Sequence, residues 1–178
     1  LYNIGAGNQT TNTFPNLSPN NYIITLTDAN NCTVSQSFPI TQPIQLSAAI
    51  LSQANSSCYQ SANGVLIFSS AGGTSPYRYN IGAGNQNSNF IGGLSAGNYL
   101  VTITDANNCT ITRAATITEP SQLTISQVSV SNLSCFGNAS GQFSISPAGG
   151  TSPYLFNIGA SNQTANSFQN LTASTPVI

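Results

Sequence analysis

TDANNCT occupies residues 27–33 and returns letter for letter at 104–110. The offset of 77 residues holds along the rest of the chain without a gap. Leu1–Gln9 (LYNIGAGNQ) is copied as Arg78–Gln86 (RYNIGAGNQ) and again as Leu155–Gln163 (LFNIGASNQ). Ala71–Tyr77 (AGGTSPY) is repeated unchanged at Ala148–Tyr154, and Cys58 returns as Cys135. The chain is therefore a tandem repeat, and the repeat decides how everything else is read. Three regions follow: the C-terminal part of one unit at 1–42, a complete unit at 43–120, and the N-terminal part of a third at 121–178. Because the sequence opens and closes inside a unit, a slice of a longer array is expected.

Within the quoted stretch, Asp suits the first position of a type I turn and Asn tolerates a positive φ. That makes Asp105-Ala106-Asn107-Asn108 a hairpin turn. On its near side, Tyr99, Val101 and Ile103 alternate with Leu100, Thr102 and Thr104, which predicts a half-buried strand. The chain returns over Thr110–Ile117, and Glu119-Pro120 closes the unit, since proline cannot donate to a ladder. Further strands are predicted at 46–51, 65–68, 77–81 and 90–94, separated by Gly-, Asn- and Pro-rich turns. Leu66 and Phe68, with their copies Phe143 and Ile145, mark a buried face. Tyr77, Tyr79 and Ile81 share another. The copy of the first strand slips phase between Ile125 and Val128, which predicts a bulge or a strand that changes partner. Tyr99 follows Gly97 at a turn and suits a tyrosine-corner role. About seven short strands in fewer than 80 residues predict an all-β fold: tandem, immunoglobulin-like antiparallel β-sandwich domains. A period of 77 also sets the chain apart from most solenoids, whose coils repeat about every 20–50 residues.

Composition limits function. Only 3% of the 178 residues are charged: Arg78 and Arg113 against Asp28, Asp105 and Glu119. Nucleic acid is excluded as a partner, because phosphate neutralisation needs several cations. No run is long enough to span a bilayer. A nearly neutral surface rich in Ser, Thr, Asn and Gln offers little charge repulsion between copies, which suits self-association.

Three motifs stand in fixed order: a cysteine followed by an aromatic residue (Cys58-Tyr59, Cys135-Phe136-Gly137), then Gly-Gly-Thr-x-Pro-Tyr (Gly72 to Tyr77), then Leu-x-x-Gly-x-Tyr leading to Thr-Asp-Ala-Asn-x-Cys (Leu94 to Cys109). Together they resemble the SprB-type repeat of Bacteroidota. The resemblance implies a large, multi-repeat extracellular adhesin or filament at the cell surface, exported by the type IX system and in some members serving gliding motility. Two departures stand out. Asn80 lies where the family often has Trp, and Thr175-Pro176-Val177 replaces the Asn98-Tyr99-Leu100 of the complete unit, which puts a normal strand there in doubt.

Four cysteines in a secreted β-rich chain read first as disulfides. Two schemes survive translation along an array. In one, Cys58 pairs with Cys109 inside a unit, closing a loop of about 50 residues for roughly 4 kcal/mol in the chain-entropy model. In the other, Cys32 pairs with Cys58 and Cys109 with Cys135, stapling neighbours. An ordinary immunoglobulin topology puts Cys58 and Cys109 near opposite ends, which counts against the first scheme. It is nevertheless preferred, since a unit that folds alone needs its own staple. A zinc site is disfavoured by the wide spacing and the lack of histidine.

Without histidine, Ser-His-Asp and Cys-His catalysis are ruled out within this sequence, and Asp28 and Asp105 belong to different units. No catalytic residue, cofactor or bound metal is expected, and the chain reads as a non-enzyme. Asp105 and Asn107 form at most a weak Ca²⁺ candidate, the alternative being an aspartate that caps its own turn. Tyr77 and Tyr79 could stack on a sugar, but their alternation fits burial better. Arg113 is expected at a strand edge or reaching outward. Asn-x-Ser/Thr glycosylation candidates occur at Asn8, Asn16, Asn55, Asn132, Asn138 and Asn162, with further sequons at Asn31, Asn108 and Asn170. The expected function is structural and adhesive, with copies of itself or neighbouring repeats as partners. The alternative is a glycan-binding module using the loops 72–76 and 105–108.

Overall fold

The structure is a computed structural model that describes residues 1–159 and 161–173. The expectation about Thr175-Pro176-Val177 lies outside the described residues. Among those residues there is no helix, and thirteen strands form four antiparallel sheets.

The complete unit supplies seven strands: β4 (Ser47–Ala54), β5 (Gly64–Ala71), β6 (Arg78–Asn80), β7 (Asn85–Gln86), β8 (Phe90–Leu94), β9 (Gly97–Thr104) and β10 (Thr110–Ile117). They divide into a three-stranded sheet in the order β4-β5-β8 and a four-stranded sheet in the order β10-β9-β6-β7. Constant-type immunoglobulin domains place the fourth strand with the first, second and fifth. Here the fourth strand, β7, instead pairs with the third. The two sheets enclose one apolar layer. Leu66, Phe68, Ile91 and Leu94 from the first sheet meet Tyr79, Val101, Ile103, Ala115 and Ile117 from the second. Phe68, Leu66, Val101 and Ile103 are all 0% exposed. Fully burying one such side chain contributes about 1.5–3 kcal/mol, and the packed pairs make the unit's core.

The strand periodicity transfers well from sequence to structure. β10 runs over Thr110–Ile117 as expected and pairs with β9 residue for residue, from Thr110 opposite Thr104 to Ile117 opposite Gly97. The phase slip is a bulge: the register shifts between Ile125 and Gln127, and the first strand of the complete unit carries a shift two residues further along, between Ile50 and Ser52. The short strand β7 falls within residues expected as turn and following loop. It arises because Asn80 and Gln86 pin both sides of the glycine turn. Asn80 Oδ1 accepts from the Gly82 amide at 2.6 Å, and Asn80 Nδ2 donates to Asn85 Oδ1 at 3.0 Å. Gln86 Nε2 donates to the carbonyls of Ser88 and Phe90.

The flanking regions each form one sheet. Residues 1–42 give β1 (Tyr2–Asn3), β2 (Asn20–Thr27) and β3 (Thr33–Ile40), the copies of β6, β9 and β10. Residues 121–173 give β11 (Thr124–Ser131), β12 (Gly141–Ala148) and β13 (Ser167–Leu171), the copies of β4, β5 and β8. The two correspond to opposite halves of the complete unit's sandwich.

Candidate functional site

The most tightly built polar feature of the complete unit is the β9–β10 turn. Asp105 is only 3% exposed. Its Oδ1 accepts from the amides of Asn107 (2.9 Å) and Cys109 (2.8 Å), which closes the turn on itself. Asn108 then takes φ +64°, the left-handed conformation expected of it. Oδ2 reaches out of the hairpin to the amide of Thr74 at 2.9 Å, in the loop between β5 and β6. The Ala106 amide donates back to the Thr74 carbonyl, and Asn107 Nδ2 to Thr74 Oγ1. Gly73 makes this approach possible: a Cβ there would lie 2.6 Å from Asp105 Oδ2, and its φ is +57°. Burial pushes the carboxyl's pKa up, but the amides of Thr74, Cys109 and Asn107 more than reverse this and hold it below the ordinary aspartate value.

This is the behaviour of an aspartate that caps its own turn, with a cross-tie added. Both carboxylate oxygens of Asp105 are engaged by backbone amides, and Asn107 presents its nitrogen rather than its oxygen. The Ca²⁺ candidate Asp105–Asn107 is therefore arranged as a donor-satisfied lock. Sequence reading placed Gly73 and Thr74 only in a turn. Their copies at Gly150 and Thr151 were visible, but the pairing with Asp105 joins residues 31 positions apart and has no local signature.

The tyrosines divide by role. Tyr79 is 4% exposed, with its hydroxyl 3.0 Å from Ser70 Oγ. Tyr77 is half-buried against the core and donates to the Gly72 carbonyl. Neither ring is free to stack on a sugar. Tyr99 donates to the Ser95 carbonyl at 2.9 Å, four residues back, in the manner of a tyrosine corner. Arg113 stands on the edge strand β10, as expected, and its Nε donates to the Ala48 carbonyl of β4 at 2.6 Å. Gln53, which sequence reading did not single out, makes the reciprocal tie from β4 to the Thr116 carbonyl of β10 at 2.7 Å. These two side chains close the open flank between the sheets.

The cysteine expectation needs correction. All four cysteines are free and exposed. Cys58 belongs to the loop at the exit end of the unit, where Ser56 bonds the Thr118 carbonyl and Gln60 bonds the Glu119 carboxylate. Cys109 sits at the other end of β10, beside Asp105. Eight paired residues of β10 lie between those ends, roughly 23 Å of strand. A disulfide requires Cα atoms within about 7 Å. The preferred Cys58–Cys109 staple inside one unit is therefore ruled out by the length of the sandwich. Cys32–Cys58 and Cys109–Cys135 are likewise not formed in the structure. The sequon asparagines Asn8, Asn16, Asn55, Asn132, Asn138 and Asn162 are all exposed. Asn55 is the most committed of them, its Oδ1 accepting from the Thr118 amide.

What the geometry defines is a class: an all-β repeat chain with one complete two-sheet unit, whose polar side chains are spent on turns and edges. A family model described as the SprB repeat matches residues 128–159. The matched stretch is the copy, one period on, of residues 51–82 in the complete unit, where it spans β5, the Gly72–Gly73 turn and β6. The match points to a repeat segment of a surface protein, and so to an extracellular location. No curated protein and no solved structure matches the chain. Among the described residues no helix is long and apolar enough to cross a membrane.

Proposed function

We propose that the chain is a structural and adhesive segment of an extracellular array of β-sandwich units, non-catalytic and acting through length and neighbour contacts. The carrying observation is the junction between units. The Thr118 carbonyl accepts from Ser56 in the complete unit, and the Ser121 carbonyl accepts from Gly150 in the next. Only Glu119 and Pro120 lie between these tethers. Glu119 is itself held, its Oε2 accepting from the Gln60 amide at 2.6 Å. A two-residue connection that includes proline leaves little room for independent tumbling, as a stiff stalk or filament needs.

Small-angle scattering on the whole chain tests this. An elongated particle is expected, whose longest dimension falls when Glu119-Pro120 is replaced by a long Gly/Ser linker that lets the units fold back on one another. A compact profile in the unaltered chain would overturn the array. The glycan-binding reading keeps one supporting observation: the loops 72–76 and 105–108 meet at one end of the unit through Thr74, Asp105 and Asn107. Glycan binding that disappears in Asn107→Ala would favour it.

A further inference from the structure

The outer face of the sheet β11-β12-β13 carries polar side chains that the fold leaves unused. Ser129 stands opposite Ser144, which stands opposite Ser167, and Ser131 stands opposite Gln142. Together with Gln169 these residues line one open cavity of about 240 Å³. Strand alternation turns Phe143 and Phe168 to the other face, where their rings pack with centroids 4.9 Å apart. The complete unit leaves the same outer face open to solvent: Ser52, Ala54, Phe90 and Gly92, at four of the six places, are exposed.

Three observations set this cavity apart from an ordinary solvated face. Among the described residues none of the six side chains bonds to another group of the chain; the side-chain bonds nearby belong to Ser126, Ser134, Ser140 and Gln163. Residues 121–178 contain no charged side chain, whereas a solvated surface ordinarily mixes both signs of charge. The fold does not require polar residues here either. The copies of Ser131, Gln142, Ser144 and Ser167 are Ala54, Val65, Ile67 and Phe90, and Ile67 keeps the same register between Ser52 and Phe90.

Each glutamine amide offers two N–H donors and a carbonyl acceptor, and each serine hydroxyl both donates and accepts. Two rows of them across three strands cover roughly 10 Å by 7 Å. A sugar ring with its hydroxyls has that footprint, and its neighbouring oxygens also donate and accept. We propose that this face binds one unit of a neutral polysaccharide, held chiefly by Gln142 and Gln169, the longest of the six side chains. An anionic sugar would find no cation in the cavity, and its charge would be desolvated without a partner. The site gives the adhesive part of the reading above a partner and rests on that reading. It lies on a sheet face, apart from the loops 72–76 and 105–108.

Nuclear magnetic resonance on the whole isotope-labelled chain tests this, with cellohexaose, laminarihexaose and isomaltohexaose as neutral probes and an alginate hexamer as the anionic one. At least one neutral probe should shift the side-chain amide signals of Gln142 and Gln169, with the same affinity at low and high salt. Gln142→Val paired with Gln169→Gly should weaken binding at least about tenfold. Ser144→Ile, which fills the cavity and spares both glutamines, should do the same. Each of these residues already stands at the copied position of the complete unit, and unchanged backbone amide signals elsewhere show that the variants are folded. Absence of shifts with all three neutral probes overturns the site and leaves a plain solvated face. So does binding that only alginate shows, or that the variants leave intact. Shifts confined to Thr74 and Asn107 would place the sugar at the loops instead and overturn this site. A chain that is elongated in scattering yet binds no neutral probe loses the site and keeps the array; a compact chain that binds loses the array and keeps the site.

Discussion

Residues 27–33 and 104–110 are the same seven amino acids in the same hairpin, yet they live in different surroundings. Asp105 is 3% exposed, whereas Asp28 is exposed. Just before them, Ile103 is 0% exposed and Leu26 is 40% exposed. β10 buries Ala115 and Ile117, while every residue of its copy β3 is exposed. The local chemistry does not differ. Asp28 Oδ1 accepts from the amides of Asn30 and Cys32, each at 2.8 Å, as Asp105 does from Asn107 and Cys109. Asn31 and Asn108 both take positive φ, +66° and +64°. Turn and ladder are therefore properties of the sequence stretch, while burial is a property of the opposing sheet. Among the described residues only the complete unit has both.

The largest test of that division is in the core. Phe68→Ala removes a side chain that is 0% exposed between the two sheets and should cost about 3–5 kcal/mol. Urea unfolding followed by far-ultraviolet circular dichroism reads it. Ile103→Ala should cost about 2–5 kcal/mol, while Leu26→Ala at the copied position should stay within about 0.5 kcal/mol in dilute solution. Equal costs at 103 and 26 would break the comparison.

The Asp105 lock comes next, and its pH dependence carries a definite sign. Its carboxyl is held below the ordinary aspartate value, so the folded state favours the charged form. The stability it contributes is complete above the unfolded aspartate value and is lost as pH falls through the depressed folded one. Denaturation midpoints measured from pH 6 down to pH 2 should drop on the acid side. Asp105→Asn should lower the midpoint at pH 6 and flatten that acid limb, because an amide at Oδ2 would face the Thr74 N–H donor to donor. Asp28→Asn should cost less at pH 6, since that carboxylate bonds only the Asn30 and Cys32 amides of its own turn.

Sequence alone shows a good deal of this molecule, for a physical reason. Period-two patterning and turn residues act over a few positions, so β8 and β10, the bulge at 125–127, the tyrosine corner and the positive φ of Asn108 are all readable from the residues nearby. What was not readable depends on distance across the sandwich. The Thr74–Asp105 tie and the Gln53–Thr116 tie join residues far apart in the chain. The Cys58–Cys109 pairing failed although the strand order already put the two cysteines near opposite ends, because the need of a unit that folds alone for its own staple was given more weight. β7 was not recognised as a strand because its two-residue ladder depends on the side-chain bonds of Asn80 and Gln86 more than on any apolar pattern.

The flank between the sheets offers a smaller test. Arg113→Ala removes the bond to the Ala48 carbonyl and should cost about 1 kcal/mol. Gln36→Ala, at the same place in β3, should change nothing beyond about 0.5 kcal/mol, because among the described residues no sheet faces β3. Hydrogen exchange at the edge amides of β4 and β10 should quicken in the first variant only.

The smallest effect reverses the pattern. Tyr99 and Tyr22 each donate a hydroxyl to the carbonyl four residues back, Ser95 at 2.9 Å and Ser18 at 3.0 Å, and each is half-buried. This bond is made inside one loop and does not call on the opposing sheet. Tyr99→Phe and Tyr22→Phe should therefore lose nearly the same amount, about 0.5–1 kcal/mol of local stability, read as faster amide exchange over 95–99 and 18–22. If Tyr22→Phe cost nothing while Tyr99→Phe cost its full share, even the corner would depend on the second sheet, and the boundary between local and cross-sheet stabilisation would have to be drawn inside the turn itself. Equal losses place that boundary at the strand faces, where the apolar alternation begins.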